Sequence, residues 1–182
     1  MESTCSKLKI IYASLYPGKS RSMFTQQKTV KTFRELLETR GVRAALQFLN
    51  SISTHRFTAI FWFEGNTLRN LHLIDRENPK IERCPDLPVL DSYCVYVRNT
   101  AKPFVIDDSL HDDRVQGHPK QKVVQSYCGI PLIDENGELF GTICHFDFKP
   151  IPFTEEEAFL LDEVAPLLIK AIRETEWHPE SN

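Results

Sequence analysis

Thiols and phenols recur together along this chain. Ser92-Tyr93-Cys94 and Ser126-Tyr127-Cys128 are one tripeptide at two positions, and Cys144-His145 sets a third thiol beside an imidazole. Two thiols facing one cavity could cycle between dithiol and disulfide. A thiol that attacks an electrophile needs some exposure and a pKa lowered by cations or a helix N-terminus. Arg98, Arg114 and His118 are the candidate sources of positive charge. The ordinary reading is two small buried residues and two packed tyrosines, because free cysteine is among the most buried residue types. The full set is Cys5, Cys84, Cys94, Cys128 and Cys144. It holds no Cys-x-x-Cys pair and fits no structural zinc spacing, so no metal site is expected.

A second group is polar: Asp107, Asp108, His111, Asp112, Asp113, Arg114 and His118. Arg114 could grip an anionic ligand through its fork of donors. His118 could donate, accept or titrate near neutral pH. The plainer reading is a solvated loop whose Asp-Arg pairs contribute little. Long polar loops in compact domains often carry function, which keeps both groups as binding candidates.

Strands and helices must position these groups. Val30, Phe33, Leu36 and Leu37 recur at helical spacing from about Phe24, Gly41 interrupts them, and Val42, Ala45, Leu46 and Leu49 continue a second helical piece. Residues 57–63 are aromatic and read as a buried strand, with 67–74 as its hairpin partner across Glu64-Gly65-Asn66. Residues 77–88 hold three prolines and read as loop; 89–99 suggest a short helix, 104–106 a short strand, and 107–121 a loop with a helical turn. Two apolar runs, 126–133 and 139–147, flank the Asn136-Gly137 turn and predict a central hairpin. In its second strand, alternation sets Thr142, Cys144, Phe146 and Phe148 against Ile143, His145 and Asp147, so Cys144 and His145 cannot share a pocket without a bulge.

A capping box, Thr154 with Glu157, opens the last helix, which carries Leu160, Leu161, Val164, Leu167, Leu168, Ala171 and Ile172 around an internal Pro166. Pro166 should bend that helix near Asp162. The pattern is α+β, with helices on a mainly antiparallel sheet. Both terminal helices look broader in apolar surface than one sheet face needs, which predicts a homodimer through them. Residues 1–22 read as an N-terminal extension in which 8–12 could pack, 23–176 as a single domain, and 177–182 as a tail.

With these elements the chain resembles a GAF domain, a small-molecule sensory module related to the PAS fold. The markers are residues 102–108, Asp113-Arg114, Gly129 to Leu132, Asp134 to Gly137, residues 140–144, and Phe153-Thr154-Glu155-Glu156. It looks closest to stand-alone bacterial members that also carry Phe57-Thr58, Leu68-Arg69-Asn70, Ser92-Tyr93-Cys94 and Cys144-His145-Phe146-Asp147. The resemblance implies a central antiparallel sheet, with terminal helices on one face and a ligand pocket on the other. It puts Tyr93, Cys94, Asp107, Arg114, His118, Tyr127, Cys128, Cys144 and Phe146 around that pocket. The ligand or cofactor is left open, since cyclic nucleotides, bilins, haem, nitrate and amino-acid sulfoxides all occur in the family.

The expected function is a stand-alone sensor with no catalysis of its own, signalling through a partner protein. One alternative is a thiol reductase resembling the free methionine-(R)-sulfoxide reductases. Cys94, and Cys84 before it, fall where that family has cysteines, but residues 107–125 hold none. A bilin photoreceptor is disfavoured because Val95 follows Cys94 and Cys144-His145 lies on a strand. A structural dimerisation module is the remaining reading. With 182 residues, 41% hydrophobic and 26% charged, the chain suits one globular domain. Its net charge of −3 and pI of about 6.1 leave no basic footprint for nucleic acid. No apolar run is long enough to span a membrane, and residues 1–9 lack a leader's apolar core, so a cytoplasmic location is expected.

Overall fold

The computed structural model describes residues 20–175, with side chains from Thr25 onward. The expectations for residues 8–12, for Cys5 and for the tail lie outside the described residues. Helix α1 spans Ser20–Ile52 and so begins before Phe24. Gly41 breaks it at φ 81°, ψ 179°, a conformation that glycine adopts without a Cβ penalty. The two helical pieces read from the sequence are therefore present and joined by a kink.

Six strands follow: β1 Phe57–Glu64, β2 Thr67–Asp75, β3 Leu87–Pro88, β4 Phe104–Ile106, β5 Ser126–Ile133 and β6 Leu139–Asp147. They form one antiparallel sheet in the order β3-β2-β1-β6-β5-β4. The short helix predicted over 89–99 divides into a 3-10 turn, Val89–Asp91, and helix α2, Cys94–Thr100. The polar loop holds two more 3-10 turns, Ser109–His111 and Asp113–Val115, whose first amides are capped by Asp108 and Asp112. Helix α3, Glu155–Thr175, runs on through Pro166. The α+β architecture agrees with the expected one.

Alternation along the strands builds two apolar layers. Under α1 and α3 lie Ile60, Cys128, Ile130, Leu132 and Ile143, packed with Phe33, Leu46, Leu49, Leu161 and Leu168. On the opposite face lie Phe57, Ala59, Phe61, Tyr127 and Cys144, packed with Tyr93, Cys94, Val97 and Val115. Val30, Leu36, Leu167 and Ala171 also pack against the helix-side core. Part of the apolar width of α1 and α3 is thus used within the chain, where the two helices pack on each other as well as on the sheet, while these four residues remain partly exposed.

The helix-side layer also contains polar groups, and they are closely paired. Asn50 Nδ2 donates to Thr58 Oγ1 at 3.0 Å, and the Thr58 hydroxyl meets His145 Nδ1 at 2.7 Å. The Thr58 oxygen thus bridges Asn50 and His145 in the buried layer. Glu157 completes the predicted capping box: its amide donates to Thr154 Oγ1 at 3.1 Å, and its Oε2 accepts from the Thr154 amide at 3.2 Å. Its Oε1 accepts from the Ser53 hydroxyl and the Thr54 amide, both at 3.1 Å. Arg76 donates to the carbonyls of Asn50, Ser53 and His55 and so closes the end of α1.

Candidate functional site

The candidate site lies on the sheet face away from α1 and α3, beneath α2 and residues 107–125. Tyr93 precedes the first turn of α2 and is 2% exposed. Cys94 opens α2 and is fully buried. From the sheet below rise Tyr127 of β5 and Cys144 of β6, and Phe146 packs beside them with its ring stacked on Phe57 at 4.7 Å. His118 closes the group from the loop, its ring 4.6 Å from that of Tyr93.

The register explains why Tyr127 can lie flat. Tyr127 and Gly129 share one face of β5, and a Cβ on Gly129 would stand 2.1 Å from the Tyr127 hydroxyl. Glycine leaves the trough that this ring fills. The hydroxyl donates to Cys94 Sγ at 3.4 Å, and a thiol sulfur is a weak acceptor. Burial, together with the Cys94 and Cys144 thiols beside it, holds the Tyr127 phenol protonated well above its ordinary range.

Two other polar atoms in this layer have no well-formed hydrogen bond. The Tyr93 hydroxyl is one of them. Its neighbour is Ser109, whose hydroxyl donates to the carbonyl of Gln121 at 2.5 Å and keeps its lone pairs to accept from Tyr93. His118 Nε2 is the other. His118 Nδ1 accepts from the Lys120 amide at 3.1 Å, so the neutral ring carries its proton on Nε2. Burial lowers the His118 pKa and favours that neutral form. The carbonyls of Ser92 and Leu90 lie close to His118 and partly offset the effect of burial, so both groups have loose neighbours but no well-formed hydrogen bond.

The thiols divide. Cys94 and Cys144 interact directly, and half-buried Cys84 packs against the same layer. Burial raises the Cys144 and Cys84 thiols. Burial opposes ionisation of Cys94 too, but the thiol of Cys144 and the hydroxyls of Ser92 and Tyr127 draw its pKa down. Cys128 is on the other face, opposite His145 across the β5–β6 ladder and among the helix-side core residues. The expectation that both Ser-Tyr-Cys cysteines face one cavity is corrected on this point. In a strand, Tyr127 and Cys128 must point to opposite sides.

Asp107 and Arg114 are also engaged elsewhere. Asp107 is exposed and accepts from the Phe153 amide at 2.9 Å, which ties the loop to the lead into α3. Arg114 bonds Asp112 at 2.5–3.2 Å, donates to the Val105 carbonyl at 2.6 Å, and lies over the Phe104 ring. Its charge is compensated, so it is not a free grip for an anion. Of the nine candidates, the structure brings together Tyr93, Cys94, His118, Tyr127, Cys144 and Phe146.

Asn70, a marker of the family resemblance, was not among the candidate site residues. It sits at the β-bulge where the β1–β2 register shifts, donates to the carbonyls of Ile60 and His72, and accepts from the Cys84 amide at 2.9 Å. An asparagine in mid-strand is a usable sign of such a bulge. Two open clefts lie away from the layer, one of about 360 Å³ between α3 and the β5–β6 turn, the other of about 340 Å³ beside the end of α1. Among the described residues no group of histidines, cysteines and carboxylates is arranged to hold a metal, and no helix is long and apolar enough to cross a membrane.

Comparison with known proteins accounts for this layout. The chain resembles the GAF domain of an Acinetobacter phosphoenolpyruvate-protein phosphotransferase at a TM-score of 0.69 and 12% identity, over 86% of this chain and 98% of that one. It resembles the free methionine-R-sulfoxide reductase of Neisseria meningitidis, solved with its substrate, at 0.66 and 13%, over 87% and 93%. It resembles the nlh2 GAF domain of A. aeolicus in an inactive state at 0.61 and 18%, over 86% and 100%. At these identities the likeness is one of fold. No curated protein matches the sequence. The GAF domain family model matches residues 25–172, and the chain belongs to the GAF domain family.

Proposed function

We propose that this chain is a sensory module that binds a small molecule between the sheet and residues 107–125, and passes the event to a partner protein. The observation that carries this reading is the buried Tyr93 hydroxyl and His118 Nε2, which have only loose neighbours, Ser109 and the Leu90 and Ser92 carbonyls, and no well-formed hydrogen bond. An unmade hydrogen bond on a buried group costs about 1–3 kcal/mol, and a ligand that supplies the partner recovers it. The test is a thermal shift of the whole protein against uncharged metabolites, amino acids, nucleotides and haem. A ligand selective for the native state raises the melting temperature. No shift across the panel would sink the proposal.

One observation favours a second reading. Cys94 and Cys144 are in direct contact with Cys84 packed nearby, and one similar fold is a sulfoxide reductase. Thiol chemistry of that kind needs an accessible thiolate, whereas Cys94 and Cys144 are at most 1% exposed. Thioredoxin-coupled turnover of free methionine sulfoxide, lost in Cys94→Ser, would establish the reductase; its absence leaves the sensor.

A further inference from the structure

The cleft of about 360 Å³ between α3 and the β5–β6 turn has apolar walls and a charged rim. Ile169 is buried in it, whereas Pro166 and Ile133 are exposed. Lys170 and Arg173 stand on the α3 side and Asp134 on the turn side. Arg173 joins the two sides. It pairs with Asp134 at 2.7 Å and lies over the Phe140 ring at 5.7 Å, yet its side chain stays 38% exposed. A guanidinium is planar and stacks on aromatic rings through its faces. Phe140 takes one face of Arg173, so a second ring has room on the exposed part.

The sequence supplies such a ring. Residues 176–182 follow α3 and lie outside the described residues. Among them is Trp177, four positions after Arg173, seven after Lys170 and eleven after Pro166. Those spacings belong to one helical stripe, the stripe by which α3 lines the cleft. Side chains on a helix lean back over the preceding turn, so a ring at position 177 is directed toward Arg173 and Lys170. Pro179 disfavours helix at His178, which sets the natural stop of that winding at Trp177. An indole is large and apolar, and leaving it in water forgoes most of what it can contribute.

We propose that Trp177 of the same chain docks in this cleft, its ring on Arg173 and against Ile133, and straps the end of α3 to the β5–β6 turn. The strap is independent of the binding layer on the other face of the sheet. It couples whatever follows residue 175 to the central hairpin.

The chain has two tryptophans, Trp62 and Trp177, so the full chain carrying Trp62→Phe reports on Trp177 alone. Its fluorescence should be quenched by acrylamide about threefold more slowly than in the urea-unfolded chain, because a docked indole hides most of its surface. Adding Ile133→Glu, or Arg173→Lys, which keeps the charge and loses the planar face, should bring quenching close to the unfolded rate with circular dichroism unchanged. In the unaltered chain the Trp177 indole N–H, identified by its loss in Trp177→Phe, should be protected from exchange, so the reading stands even if Trp62→Phe does not fold. Trp177→Ala should also speed exchange of the Asn136 and Glu138 amides, which donate to Asp134 Oδ1 at 2.9 Å, by about threefold as the turn loosens. Quenching at the unfolded rate with an unprotected indole overturns the docking. Protection that survives both cleft substitutions overturns this site for it. Protection that fades on dilution assigns the ring to a second copy and overturns the strap within one chain.

Discussion

Beneath the helices, Thr58 bridges Asn50 and His145, and Glu157 joins four groups on two segments. Beneath the 107–125 segment, Tyr93 is as deeply buried, yet its hydroxyl has no well-formed hydrogen bond. The same sheet separates these two layers, and their strands share one backbone. On the helix side Asn50, Thr58 and Glu157 are closely paired and hold the corner between α1, β1 and α3. On the loop side the Tyr93 hydroxyl and His118 Nε2 have only loose neighbours, Ser109 and the Leu90 and Ser92 carbonyls, an arrangement that a guest could complete. Buried polarity therefore has two meanings in this fold, and substitutions should tell them apart.

The largest effect is expected at Glu157. Glu157→Ala removes the cap of α3 and the acceptor of Ser53 and Thr54, and should lower stability by about 3 kcal/mol. Urea denaturation measures it; a loss below that of a loop-side substitution would break the contrast. Acidification should act on the same layer. Burial, with His55 and Arg76 nearby, lowers the His145 pKa to about 4 even though Glu157 opposes the shift. The unfolded chain then binds a proton in the window between about pH 6.5 and 4 that the folded chain refuses. Stability falls as pH drops through that window, by about 3 kcal/mol from this group. In His145→Gln the fall over the same window should be smaller by that amount, and an unchanged slope would remove His145 from the account.

Thr58→Val keeps the shape and deletes the link between Asn50 and His145. It should cost about 2 kcal/mol, since His145 Nδ1 is left buried without that partner. Tyr93→Phe makes the matching deletion on the other face and should be the smallest change. With no well-formed bond to lose, it should leave stability unchanged or raise it by about 0.5 kcal/mol in the ligand-free protein. If Tyr93→Phe cost as much as Thr58→Val, both layers would be structural and the sensor reading would lose its main support.

Much of this was readable from residue order. The hairpins, the Gly41 break and the Thr154–Glu157 cap follow from local spacing, and all are present. So does the separation of Cys144 from His145, because alternation in a strand is local. The repeated Ser-Tyr-Cys was a poor guide for the same reason. One copy begins a helix, where Tyr93 and Cys94 both reach the loop-side layer; the other is in a strand, where Tyr127 and Cys128 part. The Asn50–Thr58–His145 chain links residues 8 and 87 apart in sequence, and no periodicity foretells it. The state of His118 depends on one turn of backbone that puts the Lys120 amide on Nδ1. Arg114 is compensated by Asp112 two residues away, but its further bond to the Val105 carbonyl, nine residues away, is not foretold by local order.

The strand order has a consequence for how the chain is made. β1 pairs with β2 at once, but its other edge waits for β6, whose pairing residues begin at Gly141. During synthesis, therefore, an aromatic hairpin with a bare edge exists while some 70 further residues are added, at about 5–20 per second. Through those seconds Phe57, Phe61 and Trp62 lie on an open strand of the kind that recruits other chains. Glu157, which closes the α1–β1 corner from 103 residues away, arrives later still. The nascent protein should thus depend on chaperones most between the emergence of β2 and that of β6, and heterologous yield should respond to translation speed across that interval more than to the stability of the finished domain.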